Sequence, residues 1–279
     1  GPLHGLPMAP KDAVAVRGFS TSWGYPGFSE NVEAQDDELA RRLREAGAIF
    51  IGHSNMPEFG LGSHTFNQLY GHTYNPWDLS KTPGGSSGGA AVALAADMLP
   101  LADGSDLGGS LRNPASFCNV VGFRPSIGRM PFSRGFGWYG RMVTTGPMAK
   151  NVRDTILLFS VMAGPHGSDP LTLADPGTTF LDALEPLESP DLGRLRIGFS
   201  KDLGGLPIDP EVTEITATAA ATMERMGATV VERAPDLKDA MEVFQVQRAA
   251  GLRLLAKRLE NIDPNWRDTI KETARWNIE

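Results

Sequence analysis

An α/β fold, with a mixed and largely parallel sheet covered by helices, is predicted by three features of the 279-residue sequence. Residues 36–54, "DDELARRLREAGAIFIGHS", read as an amphipathic helix, a Gly turn and a short buried strand. Residues 195–233 return to the theme, with "LRIGFS" as a strand, a helix from about Pro210 to Met226, and "GATVVER" as a second strand. Between these regions, residues 87–98 form a helix of small residues that is apolar on nearly every side and must be buried. The strand "LPLADGS" follows it. Alternating helices and buried strands favour parallel pairing with helices packed on the faces.

The remaining elements are assigned in chain order. "LPMAPKDAVAVRG" reads as a strand entering a core, with Lys11 among apolar neighbours. Residues 59–82 are irregular and rich in Gly, Asn, His and Thr, and "YNPWD" marks a turn. Ser110 to Val120 fits a second short helix, and residues 146–163 a third, with Asn151 as an N-cap. "GPHGSDPLTLADPG" is loop, and residues 234–279 read as mainly helical with no legible chemistry. The chain opens on "GPLHGLPMAPKD" without Met and stops inside a helix at "ARWNIE", so it is read as part of a longer protein.

Composition narrows the classes of function. With 41% apolar and 21% charged residues the chain can bury a sizeable core. A net charge of −7 and the lack of any basic stripe argue against a nucleic-acid surface. Cys118 is the single cysteine, which rules out an internal disulfide and favours a reducing cytoplasm. No apolar run reaches membrane-spanning length, so no membrane partner is expected.

Two glycine–serine clusters carry the candidate chemistry, "PGGSSGG" at 83–89 and "DLGGS" at 106–110. The first could cradle a phosphate on a helix N-terminus, but no Gly-Lys-Ser/Thr follows and no Gly-x-Gly-x-x-Gly is present. A plain turn, or a close approach of backbone to a substrate, explains it as well. In the second, consecutive N–H groups before a serine could converge on one oxygen, as an oxyanion hole requires. A nucleophilic serine needs a base. His4, His53, His64, His72 and His166 all lie outside both clusters, and no Gly-x-Ser-x-Gly elbow occurs. His64 and His72 lack metal-ligand spacing, so no metal and no cofactor is expected. Lys11 remains. Most lysines are solvated, but one buried among apolar residues loses affinity for its proton and becomes a usable base.

Together these pieces resemble the amidase signature family of serine hydrolases with its Ser–cis-Ser–Lys triad. "GPLHGLPMAPKD" is similar to the phrase around the family's catalytic lysine. "NPWDLSKTPGGSSGGAAVALAADMLPLADGSDLGGSLRNPASFCNVVGFRPSIGR" resembles its signature block, and "GPMAKNVRD" a downstream helix start. The resemblance implies a partial amidase signature domain over 1–279, with a catalytic core at 1–165, the signature block at 75–130, and an α/β and helical remainder at 166–279. It also implies roles. Ser110 matches the acylated nucleophile, Ser86 the bridging serine after a cis peptide bond, and Lys11 the base. Backbone N–H groups of Leu107, Gly108, Gly109 and Ser110 match the oxyanion hole. Ser87, Ser105, Asp106 and Arg112 match polar support around the triad, with Arg112 read as an ion pair to Asp106.

Gly60, Leu61 and Gly62, with Trp138 and Tyr139 of the individual stretch "SRGFGWYGRM", are the expected substrate wall. Pro10, just before Lys11, departs from the small β-branched or aliphatic residues commoner in the family. The activity implied is hydrolysis of a small-molecule amide to acid and amine or ammonia, and a homodimer is left open. One alternative is the glutaminase subunit of a tRNA-dependent amidotransferase, although the loop after Asn55 lacks that subfamily's serine-rich phrasing. A non-catalytic protein keeping the fold ranks next, and a bare nucleotide-binding module last.

Overall fold

The computed structural model describes residues 1–132, 142–187, 191–262 and 264–279 of the chain. These divide into two compact units, residues 1–182 with 248–279, and residues 183–247. Among the described residues, no helix is long and apolar enough to cross a membrane.

The first unit starts with β1 (Pro7–Met8), α1 (Glu38–Glu45) and β2 (Ile49–Phe50), and β1 pairs with β2 in parallel. Asp37 caps α1 by accepting the Ala40 N–H, and Leu39, Ala40 and Leu43 turn inward. The strand after α1 is shorter and wetter than predicted, since Ile49 is 54% exposed. A small antiparallel pair follows, β3 (Phe66–Asn67) with β4 (Gly71–His72), inside the stretch expected to be irregular.

Next come α2 (Gly88–Ala95), β5 (Leu101–Asp106), α3 (Arg112–Cys118), β6 (Val121–Gly122), β7 (Thr144–Ala149) and α4 (Val152–Met162). Three strands form one antiparallel sheet in the order β5–β7–β6, with Asp103 opposite Pro147 and Ser105 opposite Thr145. The expected parallel pairing therefore holds for β1–β2, while the longest ladder runs antiparallel. Residues 146–149, predicted as the start of a helix, are the end of β7 instead. Their backbone groups are spent on the ladder, Gly146 and Pro147 disfavour a helix interior, and the helix begins only where Asn151 accepts the Asp154 N–H.

α2 is built almost wholly from Gly and Ala because it is wedged between walls. A side chain at Gly89 would collide with the backbone of Asn55. Ala90, Ala91 and Leu94 pack with Ala102, Leu111, Ala115, Cys118 and Met148 into one core cluster. A second cluster joins Leu3, Met8, Leu39, Leu43, Leu101, Leu158 and Met162.

In the second unit, β8 (Arg196–Phe199) pairs in parallel with β9 (Thr229–Glu232), joined by α5 (Pro210–Arg225) in a strand–helix–strand unit as predicted. Asp209 caps α5 by accepting the Glu211 N–H, and Pro210 occupies the first helical position.

The chain then returns to the first unit, where a third cluster joins Tyr25, Phe28 and Phe59 to α6 (Ala240–Ile262) and α7 (Trp266–Thr269). Leu252, Leu259 and Trp266 make that junction, with Ile278 of α8 (Glu272–Ile278) also inside.

Candidate active site

Period-2 alternation along β5 sorts its side chains onto two faces, with Asp103 and Ser105 on one and Asp106 on the other. Lys11 lies along the first face. Its N–H donates to Asp103 Oδ2 (3.3 Å), its backbone bridges in parallel to Ser54, and its Nζ reaches Ser105 Oγ (2.9 Å). The same nitrogen contacts Ser86 Oγ at 2.7 Å and Ser87 Oγ at 3.0 Å. Only 1% of Lys11 is exposed. Burial lowers its pKa to about 7, with the charges of Asp103 and Asp106 pulling the other way.

The peptide bond between Gly85 and Ser86 is cis. Thr65 supports this turn by donating to the Gly84 carbonyl (3.0 Å) and accepting the Gly88 N–H (3.2 Å). Ser87 stands at the N-cap of α2, yet its hydroxyl makes no cap bond to the helix. It faces Lys11 Nζ and accepts the Ser105 N–H at 3.3 Å. A residue type favoured for capping is thus turned to the lysine.

Ser110 enters through its backbone, its carbonyl accepting the Ser87 N–H at 3.2 Å. That bond ties the second glycine–serine turn to the first. Asp106, fully buried, organises the second turn by accepting from Gly109 N–H (2.8 Å) and Leu111 N–H (3.2 Å). Arg112 clamps the same carboxylate through Nε (2.9 Å) and Nη2 (3.1 Å), and Arg124 Nη1 adds a contact at 3.0 Å. Burial pushes the Asp106 carboxyl up, but Arg112, Gly109 and Leu111 outweigh it and hold it below the usual carboxylate range. Gly109 has φ +118°, a conformation open to glycine, and a side chain there would strike Asn113. The Gly109 N–H, expected in the oxyanion hole, is given to Asp106, while the N–H groups of Leu107, Gly108 and Ser110 take no acceptor among the described residues.

Of the expected substrate wall, Gly60 lies against the site, where a methyl group would stand 3.7 Å from Ser86 Oγ. Leu61 and Gly62 follow it on the same loop. Trp138 and Tyr139 lie outside the described residues. Three contributors are not singled out by the sequence. Arg124 belongs to the phrase "GFRPS", and its pairing with Asp106 emerges only from the fold. Asp103 is legible in principle, because the alternation of "LADGSD" puts it on the face of Ser105. Lys271 comes from the helical tail, and its Nζ donates to the Leu61 carbonyl while its N–H donates to the buried Glu58 carboxylate (2.8 Å).

A lysine amine thus meets two serines that follow a cis bond, and the backbone of the glycine-rich turn before a third serine is tied to them. The amidase family model matches residues 1–277, and the chain belongs to that family. It is 40% identical over 235 residues to an acylamidase from Rhodococcus erythropolis, covering 84% of this chain and 48% of that one. It is 39% identical to the A component of the glutamyl-tRNA(Gln) amidotransferase of Moorella thermoacetica, covering 83% and 47% respectively. The chain thus spans about half the length of these curated relatives. Among solved structures, a bacterial aryl acylamidase of the amidase signature family superposes with a TM-score of 0.89 at 28% identity, over 100% of this chain and 59% of that one.

Proposed function

We propose that the protein hydrolyses a carboxylic acid amide to an acid and an amine or ammonia, with Ser110 as nucleophile, Ser86 as proton bridge and Lys11 as base. One observation carries this reading: a dry Lys11 Nζ surrounded by three hydroxyl oxygens within 3.0 Å, the nearest that of Ser86. A neutral amine has two N–H bonds and one lone pair. It can donate to two of these hydroxyls and accept from the third. With its pKa lowered to about 7, Lys11 is neutral in about half of the molecules at pH 7, on the order of a thousandfold more than an exposed lysine.

As Ser110 Oγ bonds to the carbonyl carbon, its proton passes to Ser86 Oγ and the Ser86 proton passes to Nζ. The carbonyl oxygen gains the electron pair and is met by the N–H groups of Leu107, Gly108 and Ser110. Collapse breaks the C–N bond, and the proton returns through Ser86 to the leaving nitrogen. Water then bonds to the acyl carbon as its proton passes along the same route, collapse breaks the bond to Ser110 Oγ, and the proton returns through Ser86 to that oxygen as the acid leaves.

The test is a panel of glutamine, short aliphatic, aryl and long-chain amides against the protein and its Ser110→Ala variant. Turnover of at least one class by the parent alone is expected, and equal rates in the two proteins would overturn the reading. A second reading, the glutaminase subunit of an amidotransferase, is favoured by the 39% identity to the Moorella thermoacetica protein. Turnover confined to glutamine would select it.

A further inference from the structure

Asp103 is fully buried in the middle of β5, and its Oδ1 has no hydrogen-bond partner among the described residues. Its other oxygen accepts one bond, from the N–H of Lys11. A carboxyl group so placed is costly to bury, because a dry carboxylate needs donors for both oxygens. Asp106, three residues on, shows what a satisfied carboxylate in this strand looks like.

We propose that Asp103 is a positioning residue for the Lys11 base: it fixes the lysine backbone through the N–H bond and supplies the buried countercharge that governs when Nζ holds a proton. This rests on the reading of Lys11 given above. The Lys11 side chain runs from Asp103 to Ser105, residues two apart on one strand face and so about 7 Å apart. At that range in a dry interior a carboxylate acts strongly on an ammonium group.

Few other charges compete. Asp12, the next residue and itself buried, is turned to Ser22 and the Gly24 N–H. β1, α2 and β7 bring no titratable side chain, and Arg153 and Asp154 of α4 lie in that helix's outer first turn. The N-terminus of α1 brings Asp37, whose negative charge opposes ionisation of Asp103, and Asp106 adds its own pull on Lys11. Burial raises the Asp103 pKa to about 7, with the Lys11 N–H bond working against it, so both groups change charge over the same pH range.

The test is an NMR titration of the Lys11 side chain in the parent and in Asp103→Asn, which keeps an oxygen for the Lys11 N–H and removes the charge. The Lys11 midpoint is expected to fall by about one pH unit, and the rising limb of any kcat/KM profile to move with it. An unchanged or raised midpoint in a folded variant overturns the proposal. Should Asp103→Asn fail to fold, Asp103→Ser carries the same test. The titration needs no turnover. A protein in which Ser110→Ala changes nothing would therefore refute the amide-hydrolysis reading while the Lys11 midpoint still judged Asp103.

Discussion

The two faces of β5 hold two carboxylates of opposite character three residues apart. Asp106 receives two backbone N–H groups and two guanidinium groups, and it stays ionised in spite of burial. Among the described residues Asp103 receives a single N–H and carries an unpaired oxygen, and burial drives it toward the protonated form. Depth alone does not decide what a buried acid does. The number of donors decides it, and on this strand the well-supplied carboxylate holds a turn together while the poorly supplied one, on the proposal above, sets the pH at which a lysine gives up its proton.

The sharpest way to break that contrast is Lys11→Met. On the proposed mechanism amide turnover should fall at least about a thousandfold. Thermal stability should fall by no more than roughly a few degrees, since the change removes a costly buried amine but leaves three hydroxyls without their partner. A large stability loss in a melting experiment would mean that Lys11 is structural. Asp106→Asn attacks the opposite face. Leaving Arg112 and Arg124 without their anion should cost about 3 kcal/mol by denaturant unfolding.

A smaller effect separates the faces by pH. Between about pH 4 and 7 folded Asp103 keeps a proton that the unfolded chain has released, so stability falls as pH rises through that window. The drop should be absent from Asp103→Asn. Lys271→Met should have the mildest consequence. Freeing the Leu61 carbonyl loosens the loop beside Ser86, and KM should rise a few-fold with kcat nearly unchanged. A fall in kcat with KM fixed would place Lys271 closer to the chemistry.

Much of this is legible without coordinates. Helix caps at Asp37, Asn151 and Asp209 lie in short polar signals beside apolar periodicity, and such local information survives in a single sequence. The contact of Lys11 with the distant Ser86 follows from ordered motifs. The failures share a cause. Gly146–Ala149 reads as helix because the apolar stretch runs on into one, and nothing local announces that β5 will claim its backbone. Asp103 escapes notice because only tertiary burial turns an ordinary strand aspartate into an unusual one. Lys271 is invisible for a related reason, since nothing near it in the chain names Leu61 as its partner.

That last contact also dictates an order of manufacture. The loop beside Ser86 is translated early, while the ammonium group that grips its Leu61 carbonyl is added 210 positions later. At ordinary elongation rates the nascent chain waits roughly 10–40 s between the two. During that interval the Leu61 carbonyl does not yet have the lysine from which it will accept.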